Sequence, residues 1–267
     1  MTKRVIFCTY PSVYSDIVFA ELMKSKDIEV VGVVLSTRIL NKSYGQLYAS
    51  WRQIRLSGIH YAAYLFMVTD LYRLLRFCLG KQTLRQRLKQ ADIPVLETKD
   101  INDKQGMPFL VSKKADVMLS AHFNQLVGKD ILTLDSMDCI NIHPSLLPGY
   151  KGVDPVFFAL LRGETKTGVT VHFQEERFDS GKLLGVRLVD TCDSISLFSQ
   201  NCFLFKLGAI EAIRQILHLS ENTGKAQGGG GAYDSWPTVK DVRCFRRQRR
   251  LVLGLAYTRQ VFMCLKG

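Results

Sequence analysis

Residues 4–35 read RVIFCTYPSVYSDIVFAELMKSKDIEVVGVVL. The first six, Arg4–Thr9, are a continuous apolar run of the kind carried by a strand buried on both faces of a parallel sheet. Ser12–Lys24 then shows helical periodicity through Val13, Ile17, Leu22 and Met23, and Glu29–Leu35 is a second buried strand. This β-α-β opening predicts an α/β fold with a Rossmann-like wound, mostly parallel sheet. The turn after the first strand reads YPSVYS, without the glycines that let backbone approach a pyrophosphate, and no GxxxxGK[ST] occurs. The sheet is expected to wind without an NAD or Walker-type nucleotide site.

Further strands are expected at Ile93–Glu97, Ala115–Ser120, Cys139–His143, Thr167–Gln174 and Lys182–Val189. Asp154 and Pro155 form a helix start, VFFALLR the helix, and Gly163 its end. A helix rich in Leu, Phe and Ile runs from Ser194 to about Leu219. The polar, glycine-rich ENTGKAQGGGG that follows reads as a flexible or tightly turned connection. The expected organisation is a catalytic domain over 1–222, a glycine-rich linker over 223–231 and a basic extension over 232–267.

Residues 38–90 are longer than an ordinary crossover. Leu47, Trp51, Ile54, Gly58, Tyr61, Leu65, Val68, Tyr72, Leu75 and Leu79 follow a 4,3 spacing that predicts one long or broken helical seam. Its apolar middle, Ile59–Val68, is too short to span a bilayer and is bracketed by Arg52, Arg55, Arg73 and Arg76. A helical hairpin packed on the body is one reading; an element resting on anionic lipid or a partner is the other.

The formal net charge of +12 is concentrated in two places. Between Val30 and Gln90 ten Lys and Arg face one acid, Asp70, and after Asp241 seven face none, so the remainder is slightly acidic. Seven scattered cysteines, with no CxxC pair and no His-rich spacing, fit a reduced cytoplasmic interior and give no reason to expect a metal. The N-terminal apolar run is too short for a signal-peptide core.

The chemistry concentrates in CINIHPSLLPGYKG, Cys139–Gly152. Side chains alternate along a strand, so Asn141 and His143 share one face while Ile140 and Ile142 pack on the other. Pro144 ends the pairing. An amide donor and an imidazole therefore stand where a strand becomes a loop, and ligands of open α/β sheets bind beyond the carboxyl ends of strands. Asn, His and a carboxylate suit acyl transfer to an amine: the amide stabilises an oxyanion, the imidazole moves a proton, and the carboxylate orients the ring. None is a nucleophile, which favours direct attack by a substrate amine. Ser145 is followed by Leu-Leu-Pro and makes no nucleophile elbow. His172 and His122 read as half-exposed structural histidines, with a role facing substrate as the alternative.

NIHPSLLPGYKG, followed by GETKTGVTVHFQEERFDSGKLL, resembles the folate-dependent formyltransferases. The family pattern is matched at Asn141, His143, Ser145, Leu146, Leu147, Pro148, Tyr150, Lys151 and Gly152, then at Gly168, Val169 and Thr170, then at Asp179 and Gly181. The resemblance implies 10-formyltetrahydrofolate as formyl-donating co-substrate and Asn141, His143 and Asp179 as the catalytic trio. It places the folate pocket at Phe123, Asn124, Gln125, Leu126 and Val127, with much of the contact through backbone, and the acceptor at Tyr10, Pro11, Ser12, Ser145, Tyr150 and Lys151. The expected reaction is formyl transfer to a primary amine of a small or lipid-linked acceptor such as an amino sugar. Activity of the methionyl-tRNA formyltransferase type, hydrolysis of the donor, and a non-catalytic folate- or membrane-binding relative are the alternatives. Lys151 stands where arginine is common, and about forty residues after the glycines are too few for the tRNA-holding domain of methionyl-tRNA formyltransferases, which sets nucleic acid below a small-molecule partner. The protein is expected in the cytoplasm, with peripheral contact to an anionic membrane as an additional expectation.

Overall fold

The computed structural model describes residues 2–39, 43, 45–191 and 195–248. Cys192, Cys264, the expected helix start at Ser194 and the basic extension beyond Gln248 lie outside the described residues. The chain opens with β1 (Lys3–Thr9), α1 (Val13–Lys24) and β2 (Ile28–Ser36). The insertion follows as α2 (Gln46–Phe66), a π-helical turn (Met67–Leu71), α3 (Tyr72–Cys78) and α4 (Leu84–Gln90). Then come β3 (Val95–Thr98), α5 (Gly106–Ser112), β4 (Val117–Ala121), α6 (Lys129–Leu132), β5 (Asp138–His143), β6 (Lys151–Gly152) and α7 (Pro155–Leu161). The chain ends its described part with β7 (Lys166–Phe173), β8 (Leu183–Asp190), α8 (Leu197–Leu217), β9 (Tyr233–Asp234) and α9 (Val239–Arg247).

Seven strands form one sheet in the order β3-β2-β1-β4-β5-β7-β8. The first five are parallel, and β7 and β8 close the far edge antiparallel. The wound, mostly parallel sheet expected from the opening residues is present. Both faces are covered, which is why β1 is apolar throughout: Val5 and Phe7 enter one core with α1 and α8, while Ile6 and Cys8 enter a second with α5 and α6. β5 divides in the same way, Ile140 and Ile142 to the first core and Cys139 to the second. Asn141 and His143 therefore continue the Cys139 side, beyond the reach of the apolar layer.

The insertion is helical and packed on the body. Three tyrosines attach it: Tyr61 donates to Asp154 Oδ2 at 2.7 Å, Tyr64 bonds Tyr14 and Asn201, and Tyr72 donates to Asp16 Oδ2 at 2.8 Å. The 4,3 seam is corrected in its first half. Leu47, Trp51 and Ile54 face outward, and the buried side of α2 there is Ala49, Gln53 and Ser57. The reason is Gly58, whose φ of 81° and ψ of 164° are not helical. The phase of the apolar stripe breaks at that residue; beyond it Tyr61, Val68 and Tyr72 point inward, Leu65 and Leu75 are half-buried, and Leu79 at the end of the seam is exposed as well.

The glycine-rich stretch is tied down on either side of Gln227. Lys225 bridges to Leu183, Gln227 bonds the site loop, and Asp234 of β9 pairs with Gly152 of β6. Residues 232–248 add Phe245 to the first core, stacked on Phe157 at a centroid distance of 4.7 Å.

Candidate active site

The strand order reverses between β1 and β4, β2 lying on one side of β1 and β4 on the other. Ligands of open α/β sheets bind outside the carboxyl ends of strands at such a switch point. Three segments emerge there side by side: Tyr10–Ser12 after β1, His122–Val127 after β4, and His143–Tyr150 at the end of β5. The first two are joined by the Tyr10 amide donating to the His122 carbonyl at 2.9 Å and by Ser12 Oγ bonding His122 Nδ1 at 3.0 Å.

His143 is buried between two acceptors. Its Nδ1 lies 3.2 Å from Asp179 Oδ1 and its Nε2 2.9 Å from the Tyr150 carbonyl oxygen. A carbonyl and a carboxylate only accept, so whichever ring nitrogen carries a hydrogen finds an acceptor in place. Asp179 Oδ2 accepts in turn from the Gly152 amide at 2.9 Å, which fixes the carboxylate plane. The sequence spacing of His143 and Asp179 thus closes into contact.

His172, on β7 opposite Asn141, completes the group. It is 2% exposed rather than half-exposed, because the loops after β5 and β7 fold over the polar face of its strand. Nδ1 donates to the Phe173 carbonyl at 2.6 Å, so Nε2 must be the acceptor of the Asn141 Nδ2 hydrogen at 3.2 Å. That bond orients the amide and leaves its second hydrogen without an acceptor among the described residues. Desolvation, then the neighbouring His143, lowers the His172 pKa to about 4, so it stays neutral and keeps accepting. Asp179 Oδ1 also lies 3.8 Å from His172 Nε2, placing the carboxylate between the two imidazoles.

The loop that carries these groups is braced from below. Thr170 Oγ1 donates to the Ser145 carbonyl at 2.6 Å and accepts from the Leu147 amide at 3.2 Å. Ser145 Oγ donates to the Tyr150 carbonyl at 3.1 Å, the oxygen that also faces His143. The Leu147–Pro148 peptide bond is cis, and Tyr150 and Asp179 both hold positive φ, 50° and 55°. Gly181 is required two residues beyond Asp179: a Cβ there would stand 1.9 Å from the Phe173 carbonyl oxygen. Gln227 Nε2 closes the turn by donating to the carbonyls of Asp179 and Gly181 at 3.0 and 2.7 Å. Gln227 carried no sequence signal, since it stands between Ala226 and a run of glycines and its partners are backbone atoms.

The remaining predicted residues divide by accessibility. Ser145 is fully buried and Ser12 nearly so, Ser12 serving as N-cap of α1; these two brace the site from within the protein. Tyr10, Pro11, Tyr150 and Lys151 are half-buried at its rim, with the Tyr150 hydroxyl donating to Glu164. Burial and that bond push the Tyr150 pKa up to about 12. Gln125 is buried and spans the ends of β2 and β3, accepting from the Ile101 amide and donating to Ser36 Oγ and the Thr98 carbonyl. Val127 enters the second core, Phe123 packs against it, and Asn124 bonds Ser36 and the Arg38 carbonyl. The side chains of this loop thus hold its shape. The amides of Phe123, Asn124, Gln125, Leu126 and Val127 find no acceptor among the described residues. No group of three or more His, Cys, Asp or Glu able to hold a metal occurs among the described residues.

Residues 80–195 match the formyl transferase family. The matched segment contains every member of the Asn141, His143, His172 and Asp179 group. A methionyl-tRNA formyltransferase of Syntrophus aciditrophicus is 38% identical over 109 residues, which are 39% of this chain and 35% of the relative. A second, from Thermotoga neapolitana, is 36% identical over 125 residues, 45% of this chain and 40% of the relative. The chain therefore spans well under half the length of these relatives. Among solved structures, phosphoribosylglycinamide formyltransferase of Bacillus halodurans superposes with a TM-score of 0.55 at 19% identity, over 81% of this chain and 95% of that one. WlaRD, a sugar 3N-formyl transferase solved with dTDP and 5-N-formyl-THF, gives 0.55 at 14% identity, over 88% and 70%. At these identities the structural likeness concerns the fold, and the formyl transferase segment is placed within it.

Proposed function

We propose that the protein transfers a formyl group from 10-formyltetrahydrofolate to a primary amine. The observation that carries the reading is the His143–Asp179 contact of 3.2 Å at the end of β5, with Asn141 held alongside by His172. The co-substrate supplies an activated formyl carbon, and the loop of Phe123–Val127 offers it backbone donors beside the trio. The free amide hydrogen of Asn141 stabilises the charge that builds on the formyl oxygen when the amine nitrogen adds to the carbon. A ring N–H of His143 supplies the second donor, in exchange for its bond to the Tyr150 carbonyl. Asp179 holds that ring in plane. The new carbon–nitrogen bond replaces the one to the folate; the amine gives up one proton and the departing nitrogen gains one, a transfer His143 is placed to assist. Nothing in the trio has to form a covalent acyl-enzyme.

The acceptor is proposed to be a small or lipid-linked amine, an amino sugar being one such compound; the sugar-acting proteins among the structural neighbours support that class. A second reading takes the α-amine of methionyl-tRNA as acceptor, favoured by the curated relatives and by the net charge of +12. Incubation with 10-formyltetrahydrofolate and a panel of amines, methionyl-tRNA included, distinguishes them. Release of tetrahydrofolate is expected only with the right acceptor and is expected to vanish in His143→Ala. Turnover unchanged by that substitution sinks the assignment, and formate release without any amine replaces transfer by hydrolysis.

A further inference from the structure

The outer side of the insertion is apolar where a packed helix should be polar. Leu47, Trp51, Ile54, Ile59, Phe66 and Phe77 are all exposed along α2 and α3, Leu47 by 90% and Phe77 by 66%. Scattered exposed apolar residues need no explanation, but a row of large ones along one helical element marks an interaction surface. The far end of the row opens into a groove of about 430 Å³ lined by Phe66, Asp70, Arg73, Leu74, Phe77 and Thr83.

Cations frame the row. Arg55 lies over the Trp51 ring at 5.0 Å, and Arg246 of α9 reaches His60, beside Ile59, at 2.9 Å. Arg243 and Arg247 are exposed on the same short helix, which packs against α2 with Val239 at Gly58. The one acid between Val30 and Gln90, Asp70, is paired with Arg73 at 2.9 Å. Among the described residues, Arg243, Arg246 and Arg247 of α9 thus lie beside the insertion, nearly two hundred residues away in sequence, and the face is apolar along its middle and cationic along its side.

We propose that this face rests on the surface of an anionic lipid bilayer. Aromatic and aliphatic side chains that can enter the headgroup boundary, with arginines beside them, are what an interfacial element requires. Among the described residues no helix is long and apolar enough to cross a membrane, so the contact is peripheral. A nucleic acid would use the arginines and leave the apolar row in water. A second copy docked by two-fold symmetry would bring two basic faces together. Tyr72, next to Arg73, bonds Asp16 in the first turn of α1, four residues beyond Ser12, so the face adjoins the Tyr10–Ser12 side of the candidate site.

The test is co-sedimentation of the full chain with extruded phosphatidylcholine vesicles, with and without about a third phosphatidylglycerol. Binding is expected to be at least about tenfold stronger to the anionic vesicles and to weaken with salt. Trp51→Glu combined with Ile54→Glu alters only exposed positions and is expected to cost at least about tenfold in binding while leaving formyl transfer in solution unchanged. In a Trp236→Phe background, where Trp51 is the remaining tryptophan, its emission is expected to shift to the blue on adding anionic vesicles. Absence of pelleting with anionic vesicles overturns the proposal, as does pelleting indifferent to the double substitution. Concentration-dependent dimers, or tRNA binding, abolished by the same substitutions while vesicles are ignored would assign the face to that partner instead. None of these readouts requires formyl transfer, so an inactive protein leaves the proposal standing or falling by itself.

Discussion

Asp179→Asn tests the site with the least change of shape. The carboxylate has two tasks, accepting from His143 Nδ1 at 3.2 Å and from the Gly152 amide at 2.9 Å. An asparagine can keep one oxygen toward the Gly152 amide, which preserves the turn, and must then point its NH₂ at His143 Nδ1. Two donors cannot face each other, so His143 is forced to leave Nδ1 bare and to keep its single proton on Nε2, against the Tyr150 carbonyl. The variant loses a charge-assisted hydrogen bond, worth about 1.5–3 kcal/mol or roughly 10- to 160-fold. It also bars a hydrogen from Nδ1 of the ring, and general acid–base assistance is worth about 10²–10⁴-fold. We therefore expect kcat to fall by at least about 100-fold with KM for the folate little changed, because the Phe123–Val127 loop touches neither group. Steady-state kinetics measure the first effect, and nitrogen-detected NMR of the His143 ring shows the second as a single Nε2–H tautomer. A variant retaining more than about a tenth of the activity refutes the assigned role of Asp179.

Stability should fall in mild acid. His172 and His122 both have their pKa lowered from 6.5 to about 4, chiefly by desolvation. Each ring is neutral in the fold, while the unfolded chain takes up a proton below about 6.5; the stabilisation is present above that pH and is lost as pH falls toward 4, by up to about 3 kcal/mol for each ring. Urea unfolding between pH 7 and 4.5 measures the slope, and His172→Gln should reduce it without lowering stability further in acid. Tyr61→Phe removes the hydroxyl donor to Asp154, a buried carboxylate whose pKa burial already raises and which caps α7. A loss of about 1–3 kcal/mol by denaturant titration is expected, and an unchanged midpoint would mean that Tyr61 does not fasten the insertion.

The sheet was legible because both its faces are covered, so that β1, β2 and the ends of β4 and β5 carry uninterrupted apolar runs that little else in a soluble chain resembles. Asn141 and His143 were legible for a different reason, standing two apart on a strand; Asp179, in the β7–β8 turn two residues before Gly181, came with the family pattern, and the structure brings it to His143. His172 was misread because alternation reports only that a face is polar. Whether water or other protein covers that face depends on the loops that fold over it, and those loops follow no period. Gln227 was invisible for the same reason, since its contacts are to carbonyls that any residue could present.

The insertion shows how a correct pattern can be attached to the wrong side of a helix. A 4,3 repeat from Leu47 to Leu79 marks an amphipathic face, and burial is the ordinary fate of such a face. Up to Gly58 the helix instead buries small and polar residues, Ala49, Gln53 and Ser57, against a neighbour contributed by the far end of the chain. A helix that satisfies its packing with small residues leaves its large ones for something else. Past Gly58 the register changes, Tyr61, Tyr64 and Tyr72 turn inward, and Ile59, Phe66 and Phe77 take over the outward row. The glycine therefore lets one helical element fasten to the body through hydroxyls while keeping an apolar edge outside along its length. Because α9 lies along that edge and brings Arg243, Arg246 and Arg247 there, the described start of the C-terminal basic block and the basic insertion meet on one surface.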